Sequence, residues 1–316
     1  MATANQLKTL IKCHYEENND KFSTIALQIA AHEAKMGHMT LANDIRKLID
    51  NAKSSKPKFK YINPELQELV LEINPLDRLS DLIVNASIRS RVDRIINEHI
   101  QRDKLLRHGL ENRRKILFSG PPGTGKTMTA SVIANELHLP IYVILMEKVV
   151  TKYMGETSSK LRQIFDLIEE QPAVYLFDEF DAIGAKRSKD NDVGEMRRVV
   201  NSFLQFIERD TSESLIIAAT NNLELLDHAL FRRFDDVIHY NLPSDSEKVM
   251  LLSSRLGSNI DKKDIKSLLP LLNALSHAEI NQACLDAIKE SILEDVKLDV
   301  KLIEKTIQER NMAYKL

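Results

Sequence analysis

Glycines, a lysine and a threonine stand together in residues 120–127, in a spacing suited to holding phosphate. The segment reads Gly-Pro-Pro-Gly-Thr-Gly-Lys-Thr and fits G-x-x-x-x-G-K-[ST] at every required position. Gly123 and Gly125 allow the backbone to curl so that successive N–H groups point at one anion. Lys126 would contact the β- and γ-phosphates and Thr127 would hold Mg²⁺, whereas the rival reading is a glycine-rich turn that binds nothing. The residues that we expect at the phosphates are Gly120, Pro121, Pro122, Gly123, Thr124, Gly125, Lys126 and Thr127.

Two acidic residues, Asp178 and Glu179, directly follow the apolar run 174–177. An enzyme acting on a magnesium–nucleotide needs a second, acidic site at the end of a strand. Asp178 would bind Mg²⁺ through water, and Glu179 would orient and polarise the attacking water. The alternative is a strand end with solvated charges, but the position downstream of a glycine-rich loop favours the catalytic interpretation.

Asn221 and a pair of arginines come later in the chain. Asn221 follows the apolar run 215–220, and its amide could bridge the attacking water and the γ-phosphate, although Asn221-Asn222 would also suit an ordinary turn. Arg232 and Arg233 are flanked by phenylalanines. Such pairs are usually surface charges, yet guanidinium groups are good donors to a phosphoryl transition state. They lie too far along the fold to reach their own nucleotide easily, and could serve that of a neighbouring subunit.

Strands and helices must alternate to position these groups. Between residues 76 and 243, apolar runs suited to buried strands alternate with helical patterns, which predicts an α/β fold, a P-loop NTPase parallel sheet with helices on both faces. From residue 244 to 316 the strand patterns stop, and the segment reads as a small all-helical lid. The predicted strands are 116–119, 141–146, 173–177, 215–219 and 237–240; the predicted lid helices lie near 245–256, 262–272, 277–293 and 300–311.

The front of the chain reads as a separate helical module over residues 1–52. Apolar residues recur at helical spacing there, and Gly37 is positioned to end one helix. We interpret the module as an adaptor or substrate-docking unit; a packing extension of the main domain is the alternative. Residues 53–75 are assigned to a linker whose lysines form either a solvated tether or a phosphate-contacting basic patch.

The composition bounds the possible classes of protein. The 44 basic and 46 acidic residues give a net charge of −2, so no global field favours nucleic acid or an anionic membrane. No apolar run is long enough to cross a membrane. Cys13 and Cys284 are the only cysteines, which excludes a disulfide framework and predicts a reducing, cytoplasmic location.

The succession of these motifs resembles the AAA clade of AAA+ ATPases over roughly residues 75–311. The resemblance rests on segments 120–127 and 177–179, on Ala219-Thr220-Asn221, and on 226–235, in that order. It implies that ATP and Mg²⁺ are bound and that Asn221 is sensor 1. It also implies that Arg232 and Arg233 are arginine fingers acting across a subunit boundary. The protein would then form a homo-oligomeric ring, most often a hexamer, either permanent or assembled with ATP.

The segment Lys152-Tyr153-Met154-Gly155 looks like the first pore loop of this family. Tyr153 and Met154, repeated around a ring, would grip an extended polypeptide through non-directional contacts. The alternative is a helix start capped by Thr157 or Ser158. Residues 184–194 form either a second pore loop or a mobile surface loop.

One position departs from the family pattern. The family often reads Ser-Gly-Ala-Asp/Glu in its helical domain, whereas this chain reads Ser276-His277-Ala278-Glu279. His277 and Ala278 would sit near the adenine or ribose, so His277 would make a contact that a glycine cannot. Ala278 also means that no sensor-2 arginine stands at that place.

No protease motif is built into the chain. Residues 32–36 begin like the zinc motif H-E-x-x-H, but Met36 replaces the second histidine. His32 and His38 therefore read as ordinary polar positions, because His38 falls on a different side of a helix.

The resemblance implies Mg-ATP-dependent remodelling or unfolding of a polypeptide threaded past the pore loops. The order of a helical N-terminal module, a basic linker and one AAA cassette resembles the katanin and spastin group, or bacterial stand-alone AAA ATPases. Some of the latter serve a separately encoded protease. Two alternatives stay open: a nucleic-acid-acting AAA+ loader, disfavoured by the aromatic pore loop and near-neutral charge, and a nucleotide-gated scaffold for a separate effector.

Overall fold

The computed structural model describes residues 8–10, 12–13, 19–45, 47, 64–150, 154–183, 192–225, 231–257 and 260–313. The chain divides into two compact units, Met1–Lys60 and Tyr61–Leu316. No helix among the described residues is long and apolar enough to cross a membrane.

The first unit is helical where it is described. Helix α1 spans Asn19–Lys35, and residues 39–45 form a further helical segment. Between them Gly37 adopts a φ of 90°, which is why glycine ends α1, as the sequence predicts. Cys13, Ile25 and Ile29 form a small buried cluster with Leu10 and Ile45 packed against it.

The second unit contains a sheet of six strands in its described part. In space their order is β1-β3-β4-β5-β2-β6, with β1 antiparallel and the other pairings parallel. The strands are β1 (Val70–Ile73), β2 (Lys115–Ser119), β3 (Ile141–Ile144), β4 (Val174–Phe177), β5 (Leu215–Thr220) and β6 (Asp236–His239). This confirms the predicted α/β class and parallel sheet, to which the antiparallel edge strand β1 is an unpredicted addition.

Helices connect and follow the strands. Those of the sheet region are α2 (Pro64–Gln67), α3 (Ala86–Ile100), α4 (Arg102–Arg107), α5 (Lys126–Glu136), α6 (Met146–Val149), α7 (Met154–Glu170) and α8 (Asp192–Arg209). Those that follow the sheet are α9 (Asp245–Leu256), α10 (Lys262–Leu268), α11 (His277–Leu293) and α12 (Val300–Ala313). Short 3₁₀ turns occupy Phe180–Ile183, Leu223–Leu225 and Leu269–Leu272.

Alternate residues of the strands contribute their side chains to two apolar cores, one on each face of the sheet. Leu117 and Phe177 pack on one face with Phe203 of α8, whereas Ile116 and Phe118 pack on the other with residues of α3 and α5. Strands covered on both faces are apolar at every position. This is why the central strands could be read as continuous apolar runs.

The helices after the sheet enclose an apolar core of their own, which includes Leu252, Leu272 and Ile303. Ser244 and Ser276 cap α9 and α11, and each forms a capping box with the glutamate three residues later. These helices fall where the sequence predicts them. The 3₁₀ turn at Leu269–Leu272 replaces the end of the second, because Pro270 has no N–H to continue the α-helix.

Three details differ from the sequence analysis. The predicted strand 141–146 ends at Ile144, and Met146 begins α6. Residues 64–73, which fall in the range assigned to a linker, form α2 and the edge strand β1; β1 has only four residues and one buried position, so it gives no strong pattern. Helix α7 begins at Met154, so Thr157 and Ser158 lie inside the helix and do not cap it. The domain boundaries 1–52, 53–75, 76–243 and 244–316 otherwise stay predictions.

Candidate nucleotide-binding site

The glycine-rich loop lies between β2 and α5, where glycine is required for backbone reasons. Gly120, Gly123 and Gly125 have φ of 145°, 72° and 99°, values that L-residues rarely adopt. A Cβ on Gly120 would also lie 2.2 Å from the carbonyl oxygen of Tyr240. Helix α5 begins at Lys126, so the unpaired N–H groups of its first turn adjoin the loop and favour an anion there.

Lys126 is 6% exposed, and three oxygens surround its amine. Its Nζ donates to the carbonyl oxygens of Gly120 at 2.7 Å and Pro121 at 2.9 Å, and to Asn221 Oδ1 at 2.8 Å. Burial lowers the pKa of Lys126, while the nearby Asp178 and Asp181 oppose that change. The structure thus brings the predicted lysine and the predicted amide into direct contact.

The acidic pair lies directly beside the loop. The Thr127 hydroxyl donates to Asp178 Oδ2 at 2.8 Å, and the Glu179 N–H donates to Asp178 Oδ1 at 2.9 Å. Glu179 has a φ of 50°, which is uncommon for a residue with a Cβ. Such backbone strain is frequent at active sites.

The hydroxyl of Thr127 and the carboxylate of Asp178 suit Mg²⁺, which prefers oxygen ligands. Among the described residues, no group of three or more His, Cys, Asp or Glu could hold a metal by itself. Mg²⁺ typically takes one or two protein carboxylates together with substrate phosphates. The residues present fit a metal bound in that way.

Asp181 is a polar residue of the site that the sequence analysis did not single out. Its Oδ1 accepts hydrogen bonds from Thr220 Oγ1 at 3.1 Å and from the Asn221 N–H at 3.2 Å. It therefore links the 3₁₀ turn after β4 to the end of β5. Its position two residues after Glu179, at the edge of a parallel sheet, was the signal that could have revealed it.

Lys126, Thr127, the acidic pair and Asn221, but not Asp181, line a cavity of about 620 Å³ that extends from the loop to the helical region. Leu82 and Ile83, which precede α3, form part of its wall. The predicted residues that line it include the acidic pair, Asn221, His277 and Ala278. Residues that the sequence analysis missed are Asp77, Asp81, Leu82, Ile83, Met128, Leu251, Ser254, Arg255 and Asn281. Met128 directly follows the predicted motif, whereas the others come from three separate segments with no motif, so no local signal marks them.

The helical region touches the phosphate loop directly. The N–H of Ala278 donates to the carbonyl oxygen of Gly123 at 3.0 Å. A Cβ on Gly123 would lie 2.5 Å from the hydroxyl oxygen of Ser276. Loop and helix α11 are therefore close because residue 123 has no side chain.

The predicted arginines do not line this cavity. Arg232 and Arg233 are both exposed, and Arg233 forms an ion pair with Glu208 near the end of α8. No ion pair of Arg232 occurs among the described residues. Of the predicted gripping residues, Tyr153 lies outside the described residues and Met154 is the first residue of α7. Residues 184–191 of the possible second pore loop and 226–230 of the family motif also lie outside them.

The P-loop nucleoside triphosphatases are defined as a class by a strand, a glycine-rich loop and a helix that begins with Lys-Thr. This chain has that arrangement at the carboxyl ends of its parallel strands. Within that class, residues 116–242 match the family model described as ATPase family associated with various cellular activities (AAA). A relative named Uncharacterized AAA family ATPase y4kL, from Sinorhizobium fredii, is 32% identical over 320 residues, which are 98% of this chain and 93% of the relative. The chain therefore belongs to the AAA family of ATPases, and it is an ATP hydrolase.

Two further relatives match over a shorter range. A proteasome-activating nucleotidase of Methanosphaerula palustris is 33% identical over 189 residues, which are 57% of this chain and 46% of the relative. A putative 26S proteasome regulatory subunit homolog of Methanothermobacter thermautotrophicus is 34% identical over 177 residues, which are 54% and 48% of the two chains.

Proposed function

We propose that the chain is one subunit of a Mg-ATP-driven ring that unfolds or remodels polypeptides. The observation that supports this proposal is that the predicted catalytic groups lie in two separate places. The lysine, hydroxyl, carboxylates and amide meet at one cavity, whereas Arg232 and Arg233 lie away from it. A phosphoryl transition state needs cationic donors besides the loop lysine, and a neighbouring subunit can supply them.

Each group at the cavity has a role in this proposal. Backbone N–H groups of residues 123–127 and the Lys126 amine bind the phosphates of ATP. Thr127 and Asp178 supply ligands for Mg²⁺, which when bound neutralises phosphate charge. Glu179 accepts a proton from the attacking water, and Asn221 positions that water against the γ-phosphate. His277 and Ala278 border the nucleoside.

The two arginines have different surroundings, which supports different roles for them. Arg233 is paired with Glu208 of its own chain, so pairing with a phosphate requires that contact to open. Arg232 is exposed and has no ion pair among the described residues. We therefore assign Arg232 as the principal finger that acts across the subunit boundary, and Arg233 as the weaker donor.

The polypeptide-handling part rests on the family and on two residues. Tyr153 and Met154 would grip an unfolded chain, as aromatic and thioether side chains bind without strict geometry. Two relatives are named a proteasome-activating nucleotidase and a putative 26S proteasome regulatory subunit homolog. These names support a separately encoded protease as a partner. The oligomer that we propose is a homohexamer, either permanent or assembled with ATP.

Mixed rings test the central claim. Arg232→Ala subunits keep an intact cavity and Glu179→Gln subunits keep intact arginines, so each alone should release phosphate at under about 1% of the wild-type rate. A mixture of the two contains interfaces with both wild-type groups and should regain measurable ATPase activity. A mixture as inactive as its components would contradict action between subunits.

Substrate handling is tested separately. Tyr153→Ala should leave basal phosphate release within about threefold of wild type and abolish ATP-dependent unfolding of a tagged fluorescent protein. Unchanged unfolding by this variant would contradict the gripping role. ATPase activity stimulated by single-stranded DNA and not by unfolded protein, with strong salt dependence, would instead indicate a nucleic-acid-acting machine.

A further inference from the structure

Strand β1 lies at one edge of the sheet. Within the described part of the chain it is paired with β3 alone. The outer side of an edge strand presents backbone N–H and C=O groups that can pair with a further strand. Leu71 and Ile73 of β1 are 51% and 37% exposed. The edge therefore carries apolar surface as well as backbone groups.

The opposite edge of the sheet differs. Strand β6 is the other outermost strand, and the guanidinium of Arg91 on α3 donates to the Val237 carbonyl oxygen at 2.7 Å and to Asp236 Oδ1 at 2.9 Å. A charged side chain thus already occupies a backbone acceptor of β6, and charged side chains are one means of protecting an edge strand. Among the described residues, no side chain forms a hydrogen bond with the backbone of β1.

The register of the strands shows what a further strand would meet on one face. Two rows of opposite residues run from β1 to β4, and every member is apolar: Leu71, Val143 and Leu176 in one row, and Ile73, Ile141 and Val174 in the other. The members on β3 and β4 are buried in one core, whereas Leu71 and Ile73 stand exposed at the outer ends. An apolar side chain on a seventh strand would extend each row and cover its end.

The other face of β1 carries a negative charge. Successive residues of a strand point to opposite faces, so Glu72 lies on the face away from Leu71 and Ile73. It is exposed and has no ion pair among the described residues. A basic side chain opposite Glu72 would form a favourable cross-strand pair.

The same strand of a second copy fits this edge poorly. In the antiparallel register that sets Leu71 of one copy opposite Ile73 of the other, Glu72 stands opposite Glu72. Like charges directly opposite each other are destabilising. The edge therefore favours a segment that carries the opposite charge to β1.

We propose that β1 is a docking edge for a partner protein, which adds an extended segment of alternating apolar and basic residues as a seventh strand. Backbone hydrogen bonds provide the affinity, and the side chains that meet Leu71, Ile73 and Glu72 provide the selectivity. The four described residues of β1 are not among those that line the nucleotide cavity. The inference therefore goes beyond the proposed function and does not depend on it.

Binding of labelled eight-residue peptides to the full chain, measured by fluorescence anisotropy without nucleotide, tests the proposal. One peptide alternates valine and lysine, a second alternates valine and glutamate, and a third has four lysines followed by four valines. The first should bind at least about fivefold more tightly than the others, because only it combines an apolar face with a basic face when extended. It should also slow amide hydrogen exchange at residues 70–73 but not at 236–239.

Reversing the charge of the edge gives the sharpest variant. Glu72→Lys should reverse the preference, so that the valine–glutamate peptide binds more tightly than the valine–lysine peptide. Leu71→Thr keeps a good strand former but removes apolar surface, and should weaken binding of the valine–lysine peptide about threefold. Glu309→Lys changes the net charge equally at an exposed position on α12, and should keep the wild-type preference. Melting temperatures identify any variant that has lost the fold.

Several results would overturn the proposal. They are equal binding of the three peptides to wild type, the same preference in Glu72→Lys as in Glu309→Lys, and binding without protection of residues 70–73. Absence of binding by every peptide would overturn it as well, and a lower sedimentation coefficient of Leu71→Thr in that case would assign the edge to a second copy. Because no nucleotide is present, none of these results bears on the proposed ATPase ring.

Discussion

The two ends of the nucleotide cavity differ in how their polar groups are partnered. At the phosphate end, Lys126 contacts Asn221 and Thr127 contacts Asp178, so the groups hold one another in place. At the other end, beside α11, where the proposed function puts the base (the base end), His277 and Asn281 have buried atoms with no hydrogen-bond partner among the described residues. The phosphate end is therefore organised by hydrogen bonds between its own side chains, whereas at the base end the buried atoms of His277 and Asn281 lack such bonds.

This difference has a physical reason. Phosphate chemistry demands charged groups at short range, and each of them can form a charge-assisted hydrogen bond with a neutral amide, hydroxyl or main-chain group when no ligand is bound. Base recognition demands a particular set of donors and acceptors, and pairing them internally would remove the selectivity. The predictions below perturb one end at a time, from the largest expected effect to the smallest.

Removing the lysine should disable the phosphate end. Lys126→Ala removes the amine that lies between the loop carbonyls and Asn221, and should weaken ATP binding by about a thousandfold. Calorimetric titration measures this. The comparison of the two ends predicts a much smaller loss, about tenfold, for Asn281→Leu. Equal losses for the two variants would show that the ends contribute alike.

The contact between the two ends is tested by a pair of glycine variants. Gly125→Ala meets no atom within 4 Å, so it should lower the melting temperature of the nucleotide-free protein by about 2–6 °C through backbone strain alone. Gly123→Ala has similar strain and in addition a collision with Ser276. We expect a fall at least about 3 °C larger for Gly123→Ala. Equal falls in melting temperature for the two variants would mean that the helical region moves away from residue 123 at little cost in stability.

Asp181 should affect turnover more than binding. Asp181→Ala removes the acceptor for Thr220 and Asn221, which should lower kcat about tenfold with KM within about twofold. Asp181→Asn keeps an oxygen acceptor and should lose less than about threefold. Steady-state phosphate release measures both variants. If the Asn variant were as slow as the Ala variant, the negative charge, and not the hydrogen bonds, would be the contribution of Asp181.

The smallest effect concerns pH at the base end. Burial lowers the pKa of His277 in the folded protein below its ordinary 6.5, so the unfolded chain takes up this proton more readily as the pH falls below 6.5. The resulting loss of stability is absent above that pH and grows below it. The melting temperature of wild type relative to His277→Gln should therefore fall by about 1–3 °C between pH 7.5 and 5.5. A relative melting temperature that rises on acidification would contradict this sign.

The phosphate end could be predicted from sequence because its residues are contiguous or follow strands directly. Lys126 and Thr127 belong to one motif, and Asp178 and Asn221 each stand one residue beyond a fully buried strand. Parallel strands bring their carboxyl ends to one edge, so order along the chain implies closeness in space. Their catalytic roles remain proposals.

The base end could not be predicted in the same way. Leu82, Leu251 and Asn281 come from separate segments, and only the packing of the helical region against the loop brings them together. The edge strand β1 was not predicted because it has four residues and only one of them is buried, so its sequence shows no alternation of buried and exposed positions. The ion pair of Arg233 with Glu208 joins two elements whose spacing no motif records.

The hydrogen bond from the Ala278 N–H to the Gly123 carbonyl has both partners in the main chain. Side-chain replacements, proline at 278 excepted, leave donor and acceptor intact. Any opening of the crevice between α11 and the loop must break it and expose that amide to solvent. Deuterium uptake at residue 278 would thus serve as a built-in gauge, without any attached probe, of how readily the crevice opens while the enzyme turns over.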